Sequence, residues 1–236
     1  MPLIELDKPE LPYETNEELK LFRTNLQFCG DDKQVILITS AFSGEGKSTI
    51  TLDLCDSLAD LNKRVLMIDA DMRKSVLRRK VIGPVPKKGL SHYLSGQCEL
   101  NEVIYKTATP NLSIAFSGVV PPNPTELLSA KRFDDMIEIA RKHYDYVIID
   151  CPPVGMVVDA SVVSRCCDGS IIIIEAGEVR YRLAQEVVAK MRNTPCPILG
   201  VVLNKVDRKK HGKYYGKYYG RYGKKYYGYY YRHEDE

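Results

Sequence analysis

A doubly wound α/β domain on a mostly parallel sheet is what this 236-residue sequence predicts, on three observations. The run VILITS (35–40) is short, apolar and β-branched, as a strand buried on both faces requires. It opens directly into AFSGEGKST and then a helical stretch. Similar runs recur at RVLMID (64–69), NLSIAFSG (111–118), YVIID (146–150), SIIIIEA (170–176) and ILGVVLN (198–204), with helical patterns between them. Strands alternating with helices imply parallel pairing and a sheet covered on both faces.

In chain order, residues 1–14 carry three prolines and read as an extended arm. TNEELKLFRTNLQF (15–28) predicts a helix with Thr15 as N-cap and Glu18 completing a capping box. STITLDLCDSLADL (48–61) predicts the helix after the first strand, TELLSAKRFDDMIEIARKHY (125–144) one before the fourth, and RLAQEVVAKMRN (182–193) one after the fifth. The last segment, KYYGKYYGRYGKKYYGYYY (213–231), is different in kind. No leucine, isoleucine or valine follows Val206, so this stretch cannot form a core and is expected to be a disordered, solvated tail. Three regions result: 1–30, 31–207 and 208–236.

Composition bounds the function. With 44% hydrophobic residues the chain can bury one good core. The net charge of +3 hides a split: residues 208–236 hold nine Lys/Arg against three Asp/Glu, and residues 1–207 hold 25 against 28. The body is mildly acidic and the tail basic. Seven cysteines (Cys29, Cys55, Cys98, Cys151, Cys166, Cys167, Cys196) show no Cys-x-x-Cys spacing, which suggests reduced, buried thiols in a cytosol. No apolar run approaches the roughly 20 residues that cross a bilayer. The N-terminal MPLIELDKPELPYE lacks the layout of a secretion signal, so a membrane role is expected only through a partner.

The chemistry concentrates at the ends of the predicted strands. Ala41 to Ser48 fits [A/G]-x4-G-K-[S/T] in a strand–loop–helix setting. Gly44 and Gly46 let the loop curl so that the amides of Ser43, Gly44, Glu45, Gly46, Lys47, Ser48 and Thr49 surround phosphate. Lys47 reaches the β/γ-phosphates and Ser48 can ligate Mg²⁺. VLMIDADMR places Asp69 and Asp71 at the carboxyl edge of the second strand, and YVIIDCPP ends likewise in Asp150. With a phosphate loop in the same sheet, such acids suit a metal–nucleotide site. GVVLNKVD (200–207) carries an N-K-x-D pattern that fits guanine reading, but Asn204 after a last strand also suits adenine, and the Asp69/Asp71 pair favours ATP.

Together these motifs resemble the bacterial tyrosine kinases (BY-kinases) of capsule and exopolysaccharide systems, Gram-positive type, on the deviant P-loop fold shared with partitioning and septum-site ATPases. The resemblance rests on AFSGEGKST, VLMIDADMRK, VIIDCPP, the tyrosine tail, KKGLSHYLSGQCELNEVI (87–104) and SGVVPPNPTELLSA (117–130), and covers essentially the whole chain. It implies an ATP- and Mg²⁺-dependent protein-tyrosine kinase in which Lys47 and residues 43–49 hold the nucleotide and Ser48, Asp71 and Asp150 organise Mg²⁺. Asp69 would accept the phenolic proton. A phenol has a pKa of about 10, so most of the rate would come from positioning and charge neutralisation. Arg73 would approach the phosphates or form a structural ion pair.

The tail would then be the autophosphorylated substrate, offered by one subunit to its neighbour, with Tyr214, Tyr215, Tyr218, Tyr219, Tyr222, Tyr226, Tyr227, Tyr229, Tyr230 and Tyr231 as acceptors. Each phosphate adds about −1.5 to −2 charges, so roughly three or four would cancel the tail's basic excess. NEELKLFRTN resembles an E-x-x-R-x-x-R oligomerisation motif, here Glu17, Lys20 and Arg23, with lysine replacing the first arginine. DMRKS (71–75) departs from the family in having Ser75 where proline is usual, a change expected to have little functional effect. The resemblance further implies a ring-like homo-oligomer, a membrane adaptor of polysaccharide co-polymerase type, a cognate tyrosine phosphatase, and a cytoplasmic protein recruited to the membrane's inner face.

Three alternatives fit less well. A partitioning-type ATPase switch would carry a lysine where Phe42 stands, and none lies between residues 34 and 46. A nucleic-acid module would exploit the Tyr/Lys/Arg/Gly tail, but the acidic body opposes it and no nucleic acid is expected. An ATP-binding scaffold of polysaccharide export without transfer activity is opposed by the intact Lys47, Ser48, Asp69, Asp71 and Asp150.

Overall fold

The computed structural model describes residues 3–206, so the ten acceptor tyrosines, the tail and Asp207 lie outside the described residues. In chain order the elements are β1 (Glu5–Leu6), α1 (Tyr13–Phe28), β2 (Val35–Ser40), α2 (Lys47–Ala59), β3 (Val65–Asp69) and β4 (Val81–Ile82). There follow α3 (Leu90–Leu94), β5 (Ile104–Lys106), β6 (Leu112–Ala115), α4 (Pro124–Ser129), α5 (Lys131–His143) and β7 (Tyr146–Asp150). The last are α6 (Asp159–Val163), β8 (Gly169–Glu175), α7 (Tyr181–Arg192) and β9 (Ile198–Asn204).

Seven strands form one sheet in the order β5-β6-β3-β7-β2-β8-β9, parallel except for β5, which runs antiparallel to β6. The apolar runs sit where their composition requires: all of β2, β3 and β6 is buried. One core layer gathers Leu37, Leu66, Ile149, Phe133 and Met136, and the other Ile36, Ile38, Met67, Leu52 and Phe116. Alternate residues of one strand thus feed opposite layers, as the period of two demands.

Three expectations change. The first helix begins at Tyr13 after Pro12, whose carbonyl accepts the Asn16 N–H at 3.0 Å, so Thr15 lies within the first turn and is not the N-cap. A proline's fixed φ suits a helix entry without a side-chain cap. The long helix over 125–144 is two, because Ala130 is extended (φ −72°, ψ 149°). That break lets α4 pack on α6 while α5 lays Phe133, Met136, Ile137 and Ala140 on the core. The strand expected over 111–118 spans only Leu112–Ala115. The N-terminal arm is extended but not loose: β1 pairs with β4, and Ile4 exchanges backbone bonds with Lys106 and Ala108.

All seven cysteines are free thiols. Cys55, Cys98, Cys151 and Cys196 are buried, and Cys29, Cys166 and Cys167 half-buried. Burial, with the Asp134 carboxylate next to it, pushes the Cys166 thiol up to about 12, which makes it a packing group and not a nucleophile. Among the described residues no helix is long and apolar enough to cross a membrane.

Candidate active site

β2, β3 and β7 are neighbours at the centre of the sheet, and their carboxyl ends bring together residues far apart in the chain. Strand β2 leads into the loop 41–46, and α2 starts at Lys47. Gly46 has φ +83°, and a Cβ there would meet the Asn204 amide nitrogen at 2.3 Å, so both conformation and space demand glycine. The loop's other side is closed by Gly155, where a Cβ would meet the Ala41 carbonyl oxygen at 2.1 Å.

Lys47, at the first position of α2, is buried, and its Nζ donates to Asp150 Oδ1 and, at 3.3 Å, to Ser48 Oγ. Burial opposes its charge, but the adjacent Asp150, with Asp71 and Asp69 behind it, holds the ammonium above its ordinary range. Asp150 ends β7; its Oδ2 is buried and has no hydrogen-bond partner. Asp69 ends β3 in register with Asp150. Burial first, and the Asp150 carboxylate second, push the Asp69 carboxyl up to about 7. Asp71, 8% exposed, accepts the N–H of Lys74 at 2.9 Å and of Arg73 at 3.3 Å.

An unpaired buried carboxylate oxygen marks a place for a cation or an ordered water. No three His, Cys, Asp or Glu side chains among the described residues form a metal cage by themselves. Oxygen donors from Ser48, Asp71 and Asp150 fit Mg²⁺ because that ion takes few protein ligands and completes its shell with phosphate and water.

The remaining loop residues divide. Ser43, Gly44 and Thr49 face solvent at the mouth of the loop, and Gly46 and Ser48 are half-buried. Glu45, expected on the nucleotide, turns its side chain inward: it accepts the Phe42 N–H at 2.7 Å and the Glu175 N–H at 3.1 Å, and is 3% exposed. Its carboxylate is a brace, and only its backbone remains for phosphate. Asn204, expected on adenine, donates its side-chain amide to the Glu45 carbonyl at 2.7 Å. Lys205, which sequence reasoning set aside, bridges the Gly44 carbonyl and the Glu175 carboxylate, each at 2.7 Å.

Arg73 grips Asp159 through Nε at 2.7 Å and Nη2 at 3.0 Å, with the Thr125 hydroxyl on both partners. The structural ion pair expected of it is formed. Asp159, fully buried at the start of α6, carried no motif by which it could be found. Ser75, expected to matter little, donates its hydroxyl to Asp69. In α1, Glu17 and Lys20 pair with each other at 2.7 Å on the exposed side. Arg23 instead reaches inward to the Ser57 carbonyl at 2.8 Å and hydroxyl at 3.0 Å, tying α1 to α2.

Residues 33–193 match the family model described as an AAA domain. The Streptococcus agalactiae (serotype III, strain NEM316) tyrosine-protein kinase CpsD is 42% identical over 82% of this chain and 83% of its own. The Bacillus subtilis (strain 168) tyrosine-protein kinase YwqD is 33% identical over 83% of both chains. The solved kinase domain of the Escherichia coli tyrosine kinase ETK superposes with a TM-score of 0.77 at 31% identity, covering 85% of this chain and 82% of that one.

Proposed function

The chain belongs to the bacterial tyrosine-protein kinase family, with a nucleotide-binding AAA-type domain, and on that premise we propose that it transfers the γ-phosphoryl group of ATP to tyrosines of its own C-terminal segment in a neighbouring copy. The observation that best supports this reading is the buried set of Lys47, Asp69, Asp71 and Asp150 at the mouth of the phosphate loop.

Lys47 and the loop amides hold the phosphates, with Glu45, Asn204 and Lys205 bracing the loop from behind. Ser48, Asp71 and Asp150 would hold Mg²⁺, which would supply charge neutralisation to the phosphates. The acceptor phenol attacks the γ-phosphorus as the bond to the β–γ bridging oxygen breaks, releasing ADP, and Asp69 takes the phenolic proton. A carboxyl poised near neutrality is a better acceptor for that proton than an ordinary aspartate. Arg73 holds the α4–α6 wall through Asp159.

On the same reading the acceptors are Tyr214, Tyr215, Tyr218, Tyr219, Tyr222, Tyr226, Tyr227, Tyr229, Tyr230 and Tyr231. The protein acts in the cytoplasm on capsular or extracellular polysaccharide synthesis, recruited by a membrane adaptor, assembling with itself through the exposed Glu17–Lys20 face of α1 and reset by a tyrosine phosphatase. The test is intact mass after incubation with Mg·ATP, with and without an adaptor segment, for wild type, Lys47→Met and a truncation after Asp207. Stepwise phosphate additions that vanish in both variants support the reading. Hydrolysis without any addition overturns it.

A further inference from the structure

The loop that follows β3 turns back onto the strand it leaves. Asp71 makes the turn, because its Oδ1 accepts the N–H groups of Arg73 and Lys74, folding residues 71–74 around one carboxylate. Leu77, 1% exposed, anchors the loop just beyond. Ser75 is thereby carried back to Asp69, six residues earlier, and donates its hydroxyl to Oδ2. The Ser117 N–H, beyond the end of β6, points to the same oxygen at 3.4 Å. A carboxylate with one oxygen so engaged is restricted in its rotation about Cβ–Cγ.

We propose that Ser75 is a positioning residue for phosphoryl transfer, holding Asp69 by Oδ2 so that Oδ1 is presented to the acceptor hydroxyl. The inference rests on the reading of Asp69 as the proton acceptor. A proline at this position would stiffen the loop but has no hydroxyl to donate. Ser75 forms no bond to substrate; it acts through Asp69. Proton transfer is sensitive to the aim of the base, and a misplacement near 1 Å costs on the order of 100-fold. Loss of a single orienting hydrogen bond is accordingly expected to cost roughly tenfold in rate.

The experiment uses the full-length chain with Mg·ATP and reads initial rates of tail phosphorylation by intact mass across ATP concentrations. Ser75→Ala is expected to lower kcat roughly tenfold while the KM for ATP and the melting temperature stay unchanged. Ser75→Thr, which keeps the hydroxyl, is expected to restore the rate. A purely structural loop residue would move KM or the melting temperature instead. Wild-type kcat in Ser75→Ala overturns the proposal, and so does equal impairment of the Ala and Thr variants. Asp69→Asn separates the two layers: if it is inactive while Ser75→Ala is normal, only the Ser75 inference fails. If Asp69→Asn keeps the full rate, the assignment of Asp69 fails and carries the inference with it.

Discussion

Asp69 and Asp150 stand directly beside each other across the β3–β7 pair, each 1% exposed, with Lys47 donating to the Asp150 carboxylate and not to that of Asp69. With Asp71 they make three buried carboxylates around one buried ammonium, a charge cluster short of cations, and that shortage has measurable consequences.

The first is a pH-dependent stability penalty in protein stripped of nucleotide and metal. Folded Asp69 keeps its proton up to about pH 7, whereas in the unfolded chain it loses it near pH 4. Between those values the folded state binds more protons, so stability falls as pH rises through the window and the penalty is fully developed above it. Asp69→Asn removes the penalty. Urea unfolding is expected to show the variant more stable than wild type at pH 8, by up to about 4 kcal/mol, with the gap closing toward pH 4. A pH-independent gap would contradict this account, and the variant should have lost phosphoryl transfer at every pH.

Lys47→Met abolishes transfer and also strands Asp150 in the interior. Breaking a buried pair from one side costs about 3–5 kcal/mol, so thermal and urea unfolding should both show a large loss. The double variant Lys47→Met/Asp150→Asn, in which the Asp150 charge is no longer stranded, is expected to recover part of that stability and none of the activity. Equal instability of single and double variants would argue against the pair.

Arg73 offers a cleaner separation of structure from catalysis. With Asp159 fully buried and Arg73 38% exposed, Arg73→Ala should destabilise the protein by about 2–3 kcal/mol. Arg73→Lys should rescue little, because an ammonium cannot reproduce the two-point grip. Calorimetric titration with Mg·ATP, below the variant's melting range, is expected to give wild-type affinity. A tenfold weaker affinity would instead return Arg73 to the phosphates.

The three charged residues of α1 should behave differently from one another. Arg23→Ala cuts the tie to Ser57 and is expected to lower stability by about 1–2 kcal/mol. Glu17→Ala and Lys20→Ala break an exposed pair worth about 0.5 kcal/mol and should leave the melting temperature alone. If this helix face mediates self-association, those two variants change the sedimentation profile without changing stability. Loss of association only in Arg23→Ala would place the effect in the packing of α1 and not in its outer face.

The division between what could be read and what could not follows from the range of the interactions. VILITS, AFSGEGKST and the aspartates closing RVLMID and YVIID were legible because each is a local statement: an apolar run, a glycine loop, an acid at a strand's end. Parallel strands are joined by crossovers, so residues that share an edge are distant in the chain. Only the order β3-β7-β2 set Asp69 beside Asp150 and brought Lys47 onto the latter. Side-chain direction was equally out of reach. The Glu45 carboxylate carried no expected role and braces the Glu175 N–H; Arg23 looked like an outward motif and reached Ser57. Ser75 looked neutral, and a turn built by Asp71 delivered it to Asp69. The nucleotide loop, the alternation of strands and helices, and the acids at the sheet's edge are legible in the chain alone, because backbone chemistry and periodicity decide those within a few residues. Which acid pairs with Lys47 and which is held near neutrality depend on the fold, because burial and neighbouring charge exist only once the strands lie side by side.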